Sequence, residues 1–90
     1  YKKIHQDYAL EYGVASIEMH EDALRPGARV LIHDDLLATG GTAAAAGNMI
    51  SRLQGEVAGF SFIINLAFLP GEGVLTQRFG QKPHYLISYS

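Results

Sequence analysis

Between Arg29 and Phe68 the hydrophobic rhythm of the chain changes twice, and this constrains the fold more than any other feature. Arg29-Val30-Leu31-Ile32-His33 is a short β-rich run ending in two acids, Asp34 and Asp35. A loop follows from Leu36 to Gly41. Thr42 to Leu53 then reads as helix: Thr42 is a candidate N-cap, Ala43–Ala46 are the best helix formers, and Met49, Ile50 and Leu53 recur at helical spacing. Gly47 either weakens this helix or marks close packing on a sheet. Gln54-Gly55 closes it, with glycine near C′. Residues 56–68 return to a nearly continuous apolar run. Strand, helix, strand is a βαβ unit, which predicts parallel strands joined by a right-handed crossover. Short apolar strands of this kind are ordinarily covered on both faces. The expected class is α/β, with a mostly parallel sheet and flanking helices.

The flanks are simpler. Residues 4–20 alternate loosely around Gly13, which predicts two strands joined by a glycine-containing turn. Leu24-Arg25-Pro26-Gly27 is a turn, and Leu69-Pro70-Gly71-Glu72-Gly73 is expected to be a loop. Residues 84–89 make a last strand, expected at a sheet edge.

Composition sets the outer bounds. Ninety residues allow one domain at most, and 48% hydrophobic against 18% charged residues is globular rather than disordered. A chain this short buries only roughly 60–65% of its unfolded surface, so it is a marginal folding unit. Cys is absent, so neither a disulfide nor a thiolate-bound metal compensates, and the composition suits a reducing, cytoplasmic setting. The net charge of −2 argues against a nucleic-acid partner. The longest apolar run, Phe62–Leu69, is interrupted by Asn65 and is too short to cross a bilayer. The Lys-containing start does not read as a signal peptide.

The stretch that carries chemistry is Asp34 to Thr42. Ligands of open α/β sheets bind beyond the carboxyl ends of the strands. There, two acids precede a Thr39-Gly40-Gly41-Thr42 loop that enters a helix N-terminus. Glycines let backbone approach a phosphate, and free N–H groups with the helix dipole favour the anion. The carboxylates would repel phosphate, but they suit sugar hydroxyls or a Mg²⁺ ion bridging to a diphosphate. The combination therefore points to a phosphorylated sugar. Walker A and G-x-G-x-x-G patterns are both absent.

Val30–Thr42 resembles the phosphoribosyl pyrophosphate (PRPP) signature of type I phosphoribosyltransferases. Asp34-Asp35-Leu36-Leu37-Ala38-Thr39-Gly40-Gly41-Thr42 is similar to the wording of the adenine-specific branch. Leu10-Glu11-Tyr12-Gly13, Ile17-Glu18-Met19-His20 and Asp22-Ala23-Leu24 resemble that branch's flexible catalytic loop (about residues 8–17) and the strand after it. Arg52-Leu53 and Gly55-Glu56-Val57 extend the likeness downstream, so it covers nearly the whole chain. The resemblance implies the reaction adenine + PRPP → AMP + diphosphate, a purine-salvage step, with Mg²⁺ entering alongside PRPP. It implies that Ala38, Thr39, Gly40, Gly41 and Thr42 bind the 5′-phosphate and that Asp34 and Asp35 hold the ribose hydroxyls. Glu11 would manage the purine proton, and Tyr12 would help cover the closed site. It further implies a homodimer.

In that family the domain is roughly twice as long. The chain is therefore expected to be a C-terminal portion, with the base-contacting hood and the basic diphosphate loop preceding Tyr1. Alone it is expected to have little activity and weak stability. Another purine or orotate transferase, or a PRPP-sensing regulator, is the competing reading; retention of Glu11-Tyr12-Gly13 favours the enzyme. The scattered His5, His20, His33 and His84 show no metal-ligand spacing. Arg52 reads as a solvated or dimer-face cation, and Phe60 and Phe62 as sheet core.

Overall fold

The computed structural model describes residues 3–10, 13–20 and 24–90, the side chains of residues 6, 8–10 and 13–20 aside. The elements run β1 (Lys3–Leu10), β2 (Gly13–His20), β3 (Arg29–Leu37), α1 (Gly41–Arg52), β4 (Glu56–Leu66), α2 (Gly71–Phe79) and β5 (His84–Tyr89). β1 and β2 form an antiparallel pair, in register from Lys3↔His20 to Leu10↔Gly13. The other three strands form a parallel sheet in the order β3-β4-β5. β5 thus lies at the edge, as the sequence suggests.

Three elements depart from the sequence reading. β3 does not stop at His33 but runs through both acids to Leu37, because its ladder with β4 continues to Leu37↔Asn65. Ladder pairing here overrides the weak strand preference of aspartate. β4 ends at Leu66, where Leu69 N–H turns back to the Leu66 carbonyl. Most important, Gly71-Glu72-Gly73 is not a loop: it opens α2, capped by Pro70 and ended by Gly80 at φ 69°. Proline and two glycines masked that helix. The Leu75–Phe79 spacing, followed by a glycine stop, was the signal for it.

The core lies between the sheet and the two helices. Leu37, Ala43, Ala44, Ile50, Val57, Phe60, Phe62 and Leu75 form it, and Met49 is also buried. Phe60 and Phe79 meet at a tilted ring contact of 5.1 Å between centroids. Gly47 faces α2 rather than the sheet; a Cβ there would lie 2.5 Å from the Phe79 ring. The helices therefore cross closely, and both start at the carboxyl end of the sheet.

The opposite face of the sheet differs from the expectation of two covered faces. Leu31, Ile63 and Leu86 are exposed there, Leu86 by 82%, and the register sets Ile63 beside Leu86. Part of this face is covered by Gln81, whose Oε1 would lie 3.7 Å from a Cβ on Gly59. Arg52 is exposed, as the sequence suggests, and its Nη1 donates to the His5 carbonyl at 2.9 Å, which ties β1 to the end of α1.

Candidate functional site

The loop after β3 is shaped by two close approaches. Gly40 caps α1 with φ 84°, a left-handed conformation that costs an L side chain roughly 1–2 kcal/mol. Thr42 is therefore not the N-cap, as its side chain suggested; it stands in the first turn, and no side chain caps the helix. Behind the loop, Gly71 N–H donates to the Ala38 carbonyl at 3.0 Å. A Cβ on Gly40 would lie 3.1 Å from Gly71 Cα, so backbone packs against backbone.

These constraints leave a concave pocket of about 70 Å³ lined by Asp34, Leu36–Ala43 and Phe62. Ala44 N–H makes the first helical bond, to the Gly40 carbonyl at 2.8 Å. The N–H groups of Gly41, Thr42 and Ala43 precede it and have no acceptor within the helix. No acidic residue lies in that first turn. Unmet donors, the positive end of a helix and two threonine hydroxyls make a site for a small anion.

The structure brings Asp34 and the 38–42 loop into one pocket. Asp34 Oδ1 accepts the Asp35 N–H at 2.8 Å, and both side chains are exposed to solvent. Asp35 follows Asp34 on β3 and does not line the pocket. His33 does not line it either, its Nδ1 lying 3.3 Å from the Ser61 hydroxyl. Glu11 and Tyr12 lie outside the described residues. Sequence reasoning missed two contributors: Phe62, which closes one wall as well as serving the core, and Gly71, which backs the loop.

Among the described residues, no group of three or more His, Cys, Asp or Glu side chains converges as a metal site. Exposed carboxylates at Asp34 and Asp35 are hard oxygen donors, and Mg²⁺ commonly takes one or two carboxylates together with substrate phosphates. The donor set thus fits an ion brought in with a diphosphate. No helix among the described residues is long and apolar enough to cross a membrane.

No protein-family model matches the chain. An adenine phosphoribosyltransferase of Sorangium cellulosum is 60% identical over 73 residues, 81% of this chain and 36% of that protein. The crystal structure of adenine phosphoribosyltransferase from Thermoanaerobacter pseudethanolicus is similar with a TM-score of 0.89 and 41% identity, covering 98% of this chain and 49% of that one. The Saccharomyces cerevisiae enzyme, complexed with an imino-altritol bisphosphate and adenine, has a TM-score of 0.80 at 34% identity, covering 92% of this chain and 44% of that one. The chain spans between 36% and 50% of the length of the curated relatives it matches. Its sheet and flanking helices have the type I phosphoribosyltransferase fold. By sequence and by fold, nearly all of this chain is homologous to about half of an adenine phosphoribosyltransferase.

Proposed function

We propose that this chain is the C-terminal portion of an adenine phosphoribosyltransferase, which makes AMP and diphosphate from adenine and PRPP. The observation that carries the reading is the pocket joining Asp34 to the glycine loop at the start of α1. It offers an anion cradle and a sugar-hydroxyl acceptor side by side, as a ribose 5-phosphate group requires. The bare face of Leu31, Ile63 and Leu86 supports the partial-domain reading, since parallel sheets are normally covered on both sides.

Each residue then has a task. The N–H groups and hydroxyls of Ala38 to Thr42 bind the 5′-phosphate and fix the sugar in place. Asp34 and Asp35 accept hydrogen bonds from the ribose hydroxyls; substrate must draw Asp35 toward the pocket side. Anchoring both ends of the sugar aligns the anomeric carbon between base and leaving group. The bond from that carbon to diphosphate oxygen breaks, and its bond to the purine nitrogen forms. The carbon passes through an oxocarbenium-like state, as in glycoside cleavage. Glu11 takes the proton released from the purine nitrogen, and diphosphate leaves with its electron pair. Tyr12 covers the closed site and excludes water, which would otherwise hydrolyse PRPP. Mg²⁺, bound with PRPP, supplies charge neutralisation at the diphosphate. A cytoplasmic homodimer acting on small molecules completes the reading.

The test is a base panel with PRPP and Mg²⁺, run on the full-length polypeptide that carries this chain. AMP formation from adenine, well above turnover of hypoxanthine, guanine, xanthine or orotate, is expected. PRPP binding without turnover of any base would assign a sensor instead. The 90-residue chain alone is expected to turn over little or no adenine; ordinary enzyme rates from it would overturn the partial-domain reading.

A further inference from the structure

Glu72 stands in the first turn of α2 and collects contacts from outside that helix. Its Oε2 accepts the Tyr85 hydroxyl at 3.2 Å and the Asn65 Nδ2 amide at 3.4 Å. Its Oε1 lies 3.6 Å from the exposed Lys82 Nζ, a pair that contributes little. Asn65 Nδ2 also reaches the Ser88 hydroxyl at 3.3 Å. Asn65 is 1% exposed, and its Oδ1 has no partner among the described residues. An apolar residue at this place would avoid that unmet acceptor, so the amide is kept for what its other end holds. What it holds is Glu72, which joins α2 to β4 through Asn65 and to β5 through Tyr85.

The residue before Glu72 is Gly71, whose N–H grips the Ala38 carbonyl and whose backbone lies against Gly40. The carboxylate cluster is thus one peptide unit from the back of the anion loop. We propose that Glu72 is a positioning residue for that loop: it pins the first turn of α2 to the sheet, and α2 in turn fixes the peptide planes of residues 38–40. The loop's N–H groups are then already aimed when phosphate arrives. Pre-aimed donors bind without a reorganisation cost. Glu72 touches no substrate and acts only through Gly71 and Ala38. The inference rests on the reading of residues 38–42 as the 5′-phosphate site.

The experiment compares the parent polypeptide with Glu72→Ala, Glu72→Gln and Tyr85→Phe. Readouts are KM for PRPP, KM for adenine, kcat and the thermal midpoint, with ribose 5-phosphate binding by calorimetry alongside. Losing a hydrogen-bonded tether of this kind is expected to raise KM for PRPP about 3- to 10-fold in Glu72→Ala. KM for adenine and kcat should stay within about twofold, since the altered contacts lie behind the phosphate loop. Glu72→Gln keeps an oxygen acceptor for Tyr85 and Asn65 and should restore most of the loss. Tyr85→Phe, which deletes one hydroxyl and keeps the ring that packs against the core, should reproduce part of it. A merely structural role would lower the thermal midpoint and degrade all kinetic constants together, and that result overturns the proposal. So does an unchanged KM for PRPP in Glu72→Ala. If the parent shows no transfer activity, the functional reading fails. Ribose 5-phosphate binding then decides the inference separately: weaker binding in Glu72→Ala than in the parent supports it, and equal or absent binding ends it.

Discussion

The Gly71 amide donates to the Ala38 carbonyl across 3.0 Å, and a Cβ on Gly71 would lie 2.5 Å from that same oxygen. Position 71 therefore holds the anion loop and has no room for a side chain. Gly71→Ala must push α2 away from the loop. Overpacking of this order costs typically about 1–3 kcal/mol. Chemical denaturation should register that loss, and KM for PRPP should rise with it; an alanine variant of parental stability would show that the contact yields freely.

Gly40→Ala combines two penalties. The left-handed backbone at φ 84° disfavours an L side chain, and the new methyl would press on Gly71 Cα at 3.1 Å. The expected result is a destabilisation of at least roughly 1 kcal/mol and weaker ribose 5-phosphate binding. Calorimetric titration checks the second point. Gly40→Asn, which tolerates this conformation better, should bind more tightly than Gly40→Ala.

Asp34→Asn tests the sugar-hydroxyl acceptor. A hydrogen bond to a charged group contributes about 1.5–3 kcal/mol, so kcat/KM for PRPP should fall roughly 10- to 100-fold. The side chain is exposed, and the hydrogen bond it accepts comes from the neighbouring Asp35 N–H, which an amide oxygen also accepts. Thermal stability should therefore change little, and a large drop in the melting midpoint would point to a structural role instead.

Glu11→Gln addresses the proton. General-base help is worth about 100-fold or more in kcat, while PRPP binding should persist because the phosphate loop is untouched. Unchanged turnover would remove Glu11 from the mechanism.

The strand–loop–helix–strand unit was legible because each part depends on local composition. Alanines make a helix, branched residues a strand, and paired glycines a sharp entry between them. That Asp34 and Ala38–Thr42 come together in one pocket was legible for the same reason. The supports behind them were not. Gly71 looked like part of a turn, since Pro70, Gly71 and Gly73 are turn formers wherever they occur. Its real duty depends on Ala38, far off in the chain. Asn65 stood out in sequence as the one polar break in an apolar run. Only the fold shows that the break reaches Glu72 and Ser88. The bare sheet face was hidden in another way, because an apolar strand reads alike whether or not anything covers it.

That face gives a further prediction. Leu31, Ile63 and Leu86 should make the isolated chain self-associate at micromolar concentration. Replacing Leu31 and Leu86 together by lysine should suppress that association in light scattering. Such exposed changes are usually within about 0.5 kcal/mol each in stability. Association that persists in the double variant would place the sticky surface elsewhere.

Both helices begin at the same end of the sheet, with Gly40 and Gly71 almost touching. The attraction for an anion there is therefore made largely of main chain. It carries no ionisable hydrogen, so it does not titrate, and no arginine or lysine has to be held in place to supply it. A substitution weakens it only by moving those peptide planes, as a Cβ at Gly40 or Gly71 would. An inserted or lost residue before Gly41 or Gly71 changes where a helix starts and should abolish it outright, so this short stretch is constrained in length as well as at its two glycines.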